Sequence, residues 1–227
     1  MRLLLPFVML LLTACQSQPL LPTWQSPEGR EHPDLGLIVD LRSGEHISPI
    51  RLIDELAKVD QVLVGERHDN PDHHALQLWL LQALAQHRTQ GSLLLEMLNP
   101  DQQDDVAQVQ ALIERGEWPA DLAAALDWQN GWEWKQYAPV VRHALAQPYP
   151  LMSANLDRAE IMRVYSRIPT LTGAPADYEV QRTLLEQIRI SHCDMLPETQ
   201  LPAMLAVQQQ RDQRMADQLD AAPKPAM

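Results

Sequence analysis

The chain has 227 residues, of which 45% are hydrophobic, and this is enough for one domain with a sizeable core. The formal net charge is −12, which argues against a nucleic acid as partner, because phosphates bind to basic surfaces.

The chain begins with MRLLLPFVMLLLTAC, in which Arg2 is followed by an apolar run from Leu3 to Leu12. The run is too short to cross a bilayer, which takes about 20 residues. The sequence Leu-Thr-Ala-Cys at its end resembles the lipobox of bacterial lipoproteins. That resemblance implies cleavage before Cys15 and acylation of its thiol, and Gln16 after it implies the outer membrane of a Gram-negative bacterium. The alternative is an ordinary secretory signal with an incidental cysteine.

The next stretch, residues 16–33, is rich in Pro, Gln and Ser and lacks periodicity. We therefore predict a lipoprotein signal peptide at 1–14, a lipidated tether at 15–33 and a single domain at 34–227. Cys193 is then the one remaining cysteine, so no intrachain disulfide is expected, and we predict a small buried side chain there.

Short apolar runs alternate with stretches of helical periodicity through most of the domain. The predicted elements are hairpin strands at 36–40 and 45–47, a helix after Ser48, a strand at 62–64, a helix from Asn70, a strand at 92–98, a helix from Asn99 to near 116, a helix up to about 146, a strand at 149–154, and helices at 155–167, 176–190 and 199–220. This order predicts an α/β fold with a mostly parallel sheet and helices on both faces.

Such sheets bind ligands at the carboxyl ends of their strands. The predicted strands are followed there by polar residues, namely Glu66 and His68, then Glu96, then Asn155. We therefore expect these four side chains to lie at one cleft.

The stretch VGERHDNPDHH, from Val64 to His74, begins this cleft. Gly65 allows the chain to turn, so that Glu66 and His68 can share a metal, form an acid–base pair, or simply hydrogen bond to each other. His73 and His74 are neighbours in a predicted helix and diverge by about 100°, so we expect only one of them to face the cleft.

Other polar and aromatic residues leave more than one interpretation open. Glu96 interrupts an apolar strand and either forms a structural salt bridge or faces a ligand. Asp212 lies on the apolar stripe of the last helix, which indicates a buried network or a site. His192 is a capping, core or functional histidine. The segment LDWQNGWEWKQY either packs beneath a loop or forms a wall for a planar ligand.

Taken in order, VLVGERHDNPDHHALQ, LLLEML, DW…W…Y, LMSANLDR, SHCDMLPE and QQQRDQRMAD resemble the ChaN family of haem-binding lipoproteins, over residues 36–219. That family belongs to a superfamily with Tiki/TraB-type and erythromycin-esterase-like proteins. The resemblance implies a role in haem and iron acquisition at the cell envelope, with an outer-membrane haem receptor as a further partner. It also implies a homodimer that holds haem between its protomers, with a tyrosinate on each iron and polar groups on the propionates.

The resemblance leaves the residues of the haem site as candidates rather than assignments. Tyr165 and Tyr137 are both candidate iron ligands, because tyrosinate is an established axial ligand of haem. The candidate propionate partners are His68, His73, Arg67 and Lys135, and the polar groups expected in the cleft are Glu66, Glu96, Asn155, His192 and Asp212. The resemblance implies a binding protein without catalytic residues. The alternative is a metal-dependent hydrolase that uses a divalent metal with Glu66, His68 and Glu96.

Members of the family typically continue, after the last helix, into another strand and a second Gly-x-x-His-like motif. Here the sequence ends in AAPKPAM. We therefore expect this strand to be missing, the sheet to have an exposed edge, and a two-histidine metal centre to be disfavoured.

Overall fold

The computed structural model describes residues 20–170 and 172–227. The predicted signal peptide at 1–14 and the lipidation at Cys15 lie outside these residues. Within the described part of the chain, no helix is both long and apolar enough to cross a membrane.

The first element of the domain is the predicted hairpin. Strands β1 (Ile38–Asp40) and β2 (Glu45–Ile47) pair antiparallel, and Ile38 lies opposite Ile47. Helix α1 (Pro49–Leu56) follows directly, and the Ser48 side chain accepts a hydrogen bond from the Arg51 amide at 3.3 Å. The Ser-Pro pair thus supplies the cap and the first helical residue, as predicted.

The parallel pairing in the centre of the domain is shorter than the apolar runs suggest. Strands β3 (Leu93–Leu95) and β4 (Leu151–Ser153) are parallel, with Leu93 opposite Leu151. The predicted strand at 92–98 ends early because the chain turns after Leu95, and the turn is closed by a hydrogen bond from the Leu98 amide to the Leu95 carbonyl. The α/β class is confirmed, although the sheet is small.

The last residues of the chain form an additional parallel segment, which corrects the expectation that AAPKPAM contributes none. Ala226 accepts from the Val62 amide at 3.0 Å and donates to the Asp60 carbonyl at 2.8 Å, and it bridges to Gln61 and to Ser92 in parallel. On the other side, Met227 accepts from the Leu94 amide at 2.7 Å. The segment therefore lies between residues 60–62 and β3.

The sequence did not predict this segment because Pro223 and Pro225 lack the N–H that strand pairing uses and therefore indicate a loop. Ala226 and Met227 are nevertheless buried, and Gly91 leaves room for them, since a Cβ there would overlap the Lys224 carbonyl. The predicted strand at 62–64 is correspondingly reduced to a bridge at Gln61, and Leu63 after it is 80% exposed.

Seven further helices follow α1 within the described residues. They are α2 (Pro71–Leu84), α3 (Gln103–Glu114), α4 (Leu122–Ala125), α5 (Trp134–Leu145), α6 (Arg158–Ser166), α7 (Tyr178–Ser191) and α8 (Leu201–Ala221). Helix α6 begins three residues later than predicted because Asp157 and Glu160 form a capping box, with bonds of 2.7 and 2.9 Å.

Two clusters of buried side chains hold these elements together. The larger cluster joins α1 to α5 with both parallel strands, and it contains Leu84, Leu98, Val141 and Leu151. The smaller cluster joins α7 to α8, and α6 packs against the other side of α8. Within the predicted tether, the Gln25 and Ser26 amides donate to the Asp72 carboxylate at the start of α2.

Candidate functional site

A buried carboxylate lies at the centre of the stretch VGERHDNPDHH. The Glu66 side chain is 5% exposed, and its Oε1 accepts from the Tyr137 hydroxyl at 2.6 Å and lies 2.8 Å from His68 Nδ1. Its Oε2 accepts from Gln77 Nε2 at 2.5 Å. Burial of an unpaired carboxylate is unfavourable by several kcal/mol, so these donors are what allow Glu66 to be buried.

Two helices bring further side chains to Glu66. His74 and Gln77 are three residues apart on α2 and share a face, and Tyr137 lies in the first half of α5. His74 Nε2 also lies 3.0 Å from the His68 carbonyl oxygen and so holds the loop backbone. His74 Nδ1 is 3.2 Å from Glu66 Oε2 but without hydrogen-bond geometry.

These contacts set the charge of the cluster. Burial alone raises the pKa of Glu66, but hydrogen bonds from Tyr137, His68 and Gln77 and the charge of His74 outweigh it and lower the pKa below its usual value. Burial and the neighbouring Glu66 carboxylate together raise the pKa of Tyr137 well above its usual value. At neutral pH the pair is therefore a carboxylate and a neutral phenol.

The Trp-rich segment before α5 packs around this cluster. The Trp132 ring meets His68 edge-on with centroids 4.8 Å apart, and it lies 5.9 Å from the Tyr137 ring. Trp128 donates its indole hydrogen to the Trp132 carbonyl at 2.8 Å, and both Trp128 and Trp134 pack on the main core. Most of the segment thus serves packing, whereas Trp132 also lines a cavity.

That cavity, which we call the strand-end cavity, has a volume of about 940 Å³ and lies between the carboxyl ends of the parallel segments and α8. It brings together four of the residues that the sequence analysis placed in a cleft: Glu66, His68, Glu96 and Asp212. The size falls within the range of small-molecule and cofactor sites.

Helix α8 supplies the opposite wall with charged and polar side chains. Arg211 Nη1 lies 3.7 Å from Glu96 Oε1, and Gln208 Nε2 donates to Asp212 Oδ1 at 2.8 Å. Glu96 thus forms a salt bridge and also lines the cavity. The two predicted interpretations, a structural salt bridge and a ligand-facing acid, are therefore compatible. Sequence reasoning missed Gln77 as a site residue, although its position three residues after His74 places it on the same helical face.

Two of the predicted cleft residues have other surroundings. Asn155 is buried, its Nδ2 donates to the Glu96 carbonyl at 2.9 Å, and it holds the turn after β4 rather than lining the cavity. His192 ends α7, with Nδ1 2.7 Å from the Ile188 carbonyl, and so caps that helix. Cys193 beside it is exposed, which corrects the prediction of burial, and it lies with Asp194 in a left-handed turn that follows the helix.

The remaining candidates are distributed around the molecule. Arg67 is exposed, and its amide donates to His73 Nδ1 at 2.8 Å. Of the two adjacent histidines, His74 contacts Glu66, whereas His73 lines a second cavity on the other side of α2. Lys135 is exposed at the start of α5, and Tyr165 is half-buried on α6, which contributes no residue to the strand-end cavity.

The fold and site define an α/β protein with a polar cavity at the carboxyl ends of short parallel strands. A family described as haem-binding uptake, Tiki superfamily, ChaN, matches residues 52–227. The chain therefore belongs to the ChaN family, as the ordered motifs predicted. A solved structure titled "Cofacial heme binding to ChaN of Campylobacter jejuni" is similar to this chain with a TM-score of 0.74 and 30% sequence identity, over 84% of this chain and 77% of that one. No curated protein matches.

Proposed function

We propose that the chain binds ferric haem and takes part in haem and iron acquisition at the bacterial cell envelope. The observation that carries this proposal is the family match, which spans residues 52–227 and so includes both the strand-end cavity and α6. The 30% identical relative is a haem-binding protein by its title, and it matches over most of both chains.

The surface of α6 has the chemistry that a haem requires, namely an iron ligand beside apolar side chains and a cation. Tyr165 is half-buried there, with Met162 and Ile168 exposed nearby. Arg158, Met162 and Tyr165 follow each other at spacings of four and three residues, so they share one helix face. Arg158 lies about 10 Å along the axis from Tyr165 and is exposed, which suits a propionate at the edge of a porphyrin.

Of the two candidate iron ligands, Tyr165 fits better. An iron ligand must be a phenolate, but Tyr137 donates its hydroxyl hydrogen to a buried carboxylate and has a raised pKa. Removing that hydrogen would place two negative charges 2.6 Å apart. We therefore assign Tyr165 to the iron and Tyr137 to the positioning of Glu66.

Further candidate propionate partners lie outside α6. His68 is 53% exposed and its Nδ1 is held by Glu66, so Nε2 donates to a propionate when the ring is protonated. Arg67 and Lys135 are exposed candidates, whereas His73 faces the second cavity.

Helix α8 separates this loop from Tyr165, since it lines the strand-end cavity on one side and pairs Arg214 with Glu160 of α6 on another. We infer that a haem in contact with both Tyr165 and His68 lies between two copies of the chain. This supports a homodimer with haem at its interface.

Attachment to the outer membrane through Cys15, after removal of residues 1–14, remains part of the proposal, as does delivery to or from an outer-membrane haem receptor. The alternative of a metal-dependent hydrolase has less support. Across residues 20–170 and 172–227, no three His, Cys, Asp or Glu side chains are grouped so that they could hold a metal ion.

The proposal is tested by titrating residues 16–227 with ferric hemin and following the visible absorption. We expect saturable binding with a high-spin tyrosinate spectrum, which Tyr165→Phe abolishes or weakens at least about tenfold. Tyr178→Phe is the matched control, because Tyr178 is 72% exposed at the start of α7. Absence of saturable binding in a folded sample would contradict the proposed function.

A further inference from the structure

A second cavity lies apart from the haem surfaces discussed above and has a volume of about 490 Å³. It lies between residues 20–37, which we call the N-terminal arm, and α2, and we call it the arm cavity. Its size suits a small organic molecule. Much of its lining is apolar and includes two indole rings, with contributions from Leu21, Trp24, Leu35, Leu37, Leu76 and Trp79. Leu35 and Leu37 remain substantially exposed, so a ligand with an apolar body would bury apolar surface by covering them.

The arm that forms one wall of the cavity is fixed by specific contacts. The buried Asp72 carboxylate accepts from the Gln25 amide at 2.6 Å and from the Ser26 amide at 3.1 Å. Gly36 lies so close to Trp24 that a Cβ there would approach the indole to 3.0 Å. The wall is therefore part of the folded domain.

The charged side chains that line the cavity are the carboxylates of Glu28, Asp34 and Asp72. Within the described part of the chain, neither Glu28 nor Asp34 pairs with a Lys or Arg side chain. Asp72 is held by two backbone amides, which offset its burial without adding a positive charge. The lining therefore combines apolar surface with uncompensated negative charge.

No positive side chain of the cavity balances these carboxylates. Among the residues that the structure describes, no Lys or Arg lines the cavity. The arm contains Arg30, but its guanidinium donates to the Ser26 and Gln25 carbonyls, both at 2.8 Å. His32 and His73 do line the cavity, and each accepts a backbone amide hydrogen on Nδ1, which only a neutral ring can do. A ligand that complements this lining carries a positive charge.

We propose that the arm cavity binds a small organic cation, an alkylammonium ion whose chain contacts the leucines and indoles and whose head group lies beside Glu28 and Asp34. The carboxylates repel an anion, and a neutral alkyl compound gains the apolar contact without the electrostatic attraction. The indoles add to the preference, because Trp attracts cations more strongly than the other aromatic side chains do. The site is independent of haem, since neither Glu28 nor Asp34 is assigned to the iron or the propionates.

Isothermal titration calorimetry of the chain tests this selection with probes that share a hexyl group and differ in charge. Hexyltrimethylammonium is the cation, hexan-1-ol the neutral compound and hexanoate the anion, and the titrations are run at about pH 8 so that histidine rings are neutral. We expect saturable binding of hexyltrimethylammonium. Hexan-1-ol and hexanoate should each bind at least about tenfold more weakly, because neither is attracted by the carboxylates.

Variants of the arm locate the bound cation. The double variant Glu28→Gln, Asp34→Asn removes two exposed charges of the lining, and we expect it to weaken hexyltrimethylammonium binding at least about tenfold. Glu31→Gln is the matched control, since Glu31 is an exposed acid of the same arm that does not line the cavity, and it should change binding by less than about twofold.

A second variant adds a positive charge instead of removing negative ones. Leu37 lines the cavity and is 47% exposed, so Leu37→Lys places an ammonium group at the proposed site without emptying the core. We expect it to weaken hexyltrimethylammonium binding at least about tenfold. Leu41→Lys is its control, because Leu41 is 92% exposed and lies outside the lining, and it should bind as the unmodified chain does.

The proposal is overturned if the folded chain shows no saturable binding of hexyltrimethylammonium, or if hexan-1-ol or hexanoate binds as tightly. It is also overturned if the double variant or Leu37→Lys binds the cation as the unmodified chain does. Each of these outcomes can occur whether or not the chain binds haem, so they do not bear on the proposed function.

Discussion

Glu66 is the residue on which the strand-end cavity depends. It is a buried carboxylate with donors on three different segments, and each donor offsets part of the unfavourable burial. The sequence predicted Glu66 and His68 at a strand end from the Gly65 turn and the preceding apolar run. It could not predict Tyr137 as a donor, because a distance of 71 positions leaves no local pattern that links the two residues.

Tyr137→Phe should therefore destabilise the protein. It removes the 2.6 Å hydrogen bond to Glu66 and leaves a buried carboxylate with one donor fewer, which is unfavourable by about 1–3 kcal/mol. Urea denaturation measures the change in the free energy of unfolding. Tyr178→Phe, at an exposed position, should change it by less than about 0.5 kcal/mol. Equal effects of the two variants would contradict the assigned role of Tyr137.

The lowered pKa of Glu66 predicts a specific acid dependence of stability. Because the folded-state pKa lies below the unfolded value, the contribution of Glu66 is fully present above the unfolded value and is lost as the pH falls through the folded one. Unfolding free energies measured from about pH 7 to pH 3 should thus decline less steeply for Glu66→Gln than for the unmodified chain. Glu114→Gln, at an exposed position on α3, should retain the original slope.

At the scale of elements, the helices were more predictable than the strands. Ser48 and Asn70 each precede a proline and cap α1 and α2, so local chemistry marks where these helices begin. The strands have three residues each, and an apolar run does not show where its pairing stops. The C-terminal segment was missed for a related reason, since its pairing depends on distant backbone groups rather than on its own residues.

Gly91→Ala tests the docking of that segment. The added Cβ would overlap the backbone carbonyl groups of Pro223 and Lys224, which can relieve the contact only by moving the chain end. We expect a loss of about 1–3 kcal/mol in the free energy of unfolding, measured by urea denaturation. Gly131→Ala is a suitable comparison because a Cβ there meets no atom within 4 Å. A loss of the same size at both positions would show that the tail does not pack against Gly91.

At the scale of the whole molecule, α8 determines how the side chains proposed to bind haem, His68 and Tyr165, are arranged. One face lines the strand-end cavity near His68, and another packs against α6, which carries Tyr165. The sequence could predict both residues as candidates, because His68 lies within a family motif and Tyr165 is one of its few tyrosines. They could not predict that the two are separated by a helix, since this depends on the packing of α6 against α8.

The separation of Tyr165 from His68 by α8 predicts that haem binding brings two copies of the chain together. Sedimentation velocity should show a shift from monomer to dimer when hemin is added to the chain. Tyr165→Phe should remove this shift, because the iron is then without its protein ligand. Tyr178→Phe should dimerise as the unmodified chain does. A monomer that binds hemin tightly would place the whole site within one copy.

The most direct measurement of the central claim is complementation between two variants. Tyr165→Phe lacks the proposed iron ligand and His68→Ala lacks the proposed propionate partner, so each alone should bind hemin at least about tenfold more weakly. In an equimolar mixture, a mixed dimer takes His68 from the Tyr165→Phe copy and Tyr165 from the His68→Ala copy. One of its haem sites therefore contains both original residues. We predict that the mixture regains tight binding with a tyrosinate spectrum. A mixture that binds no better than the two variants measured separately would contradict a haem site shared between two copies.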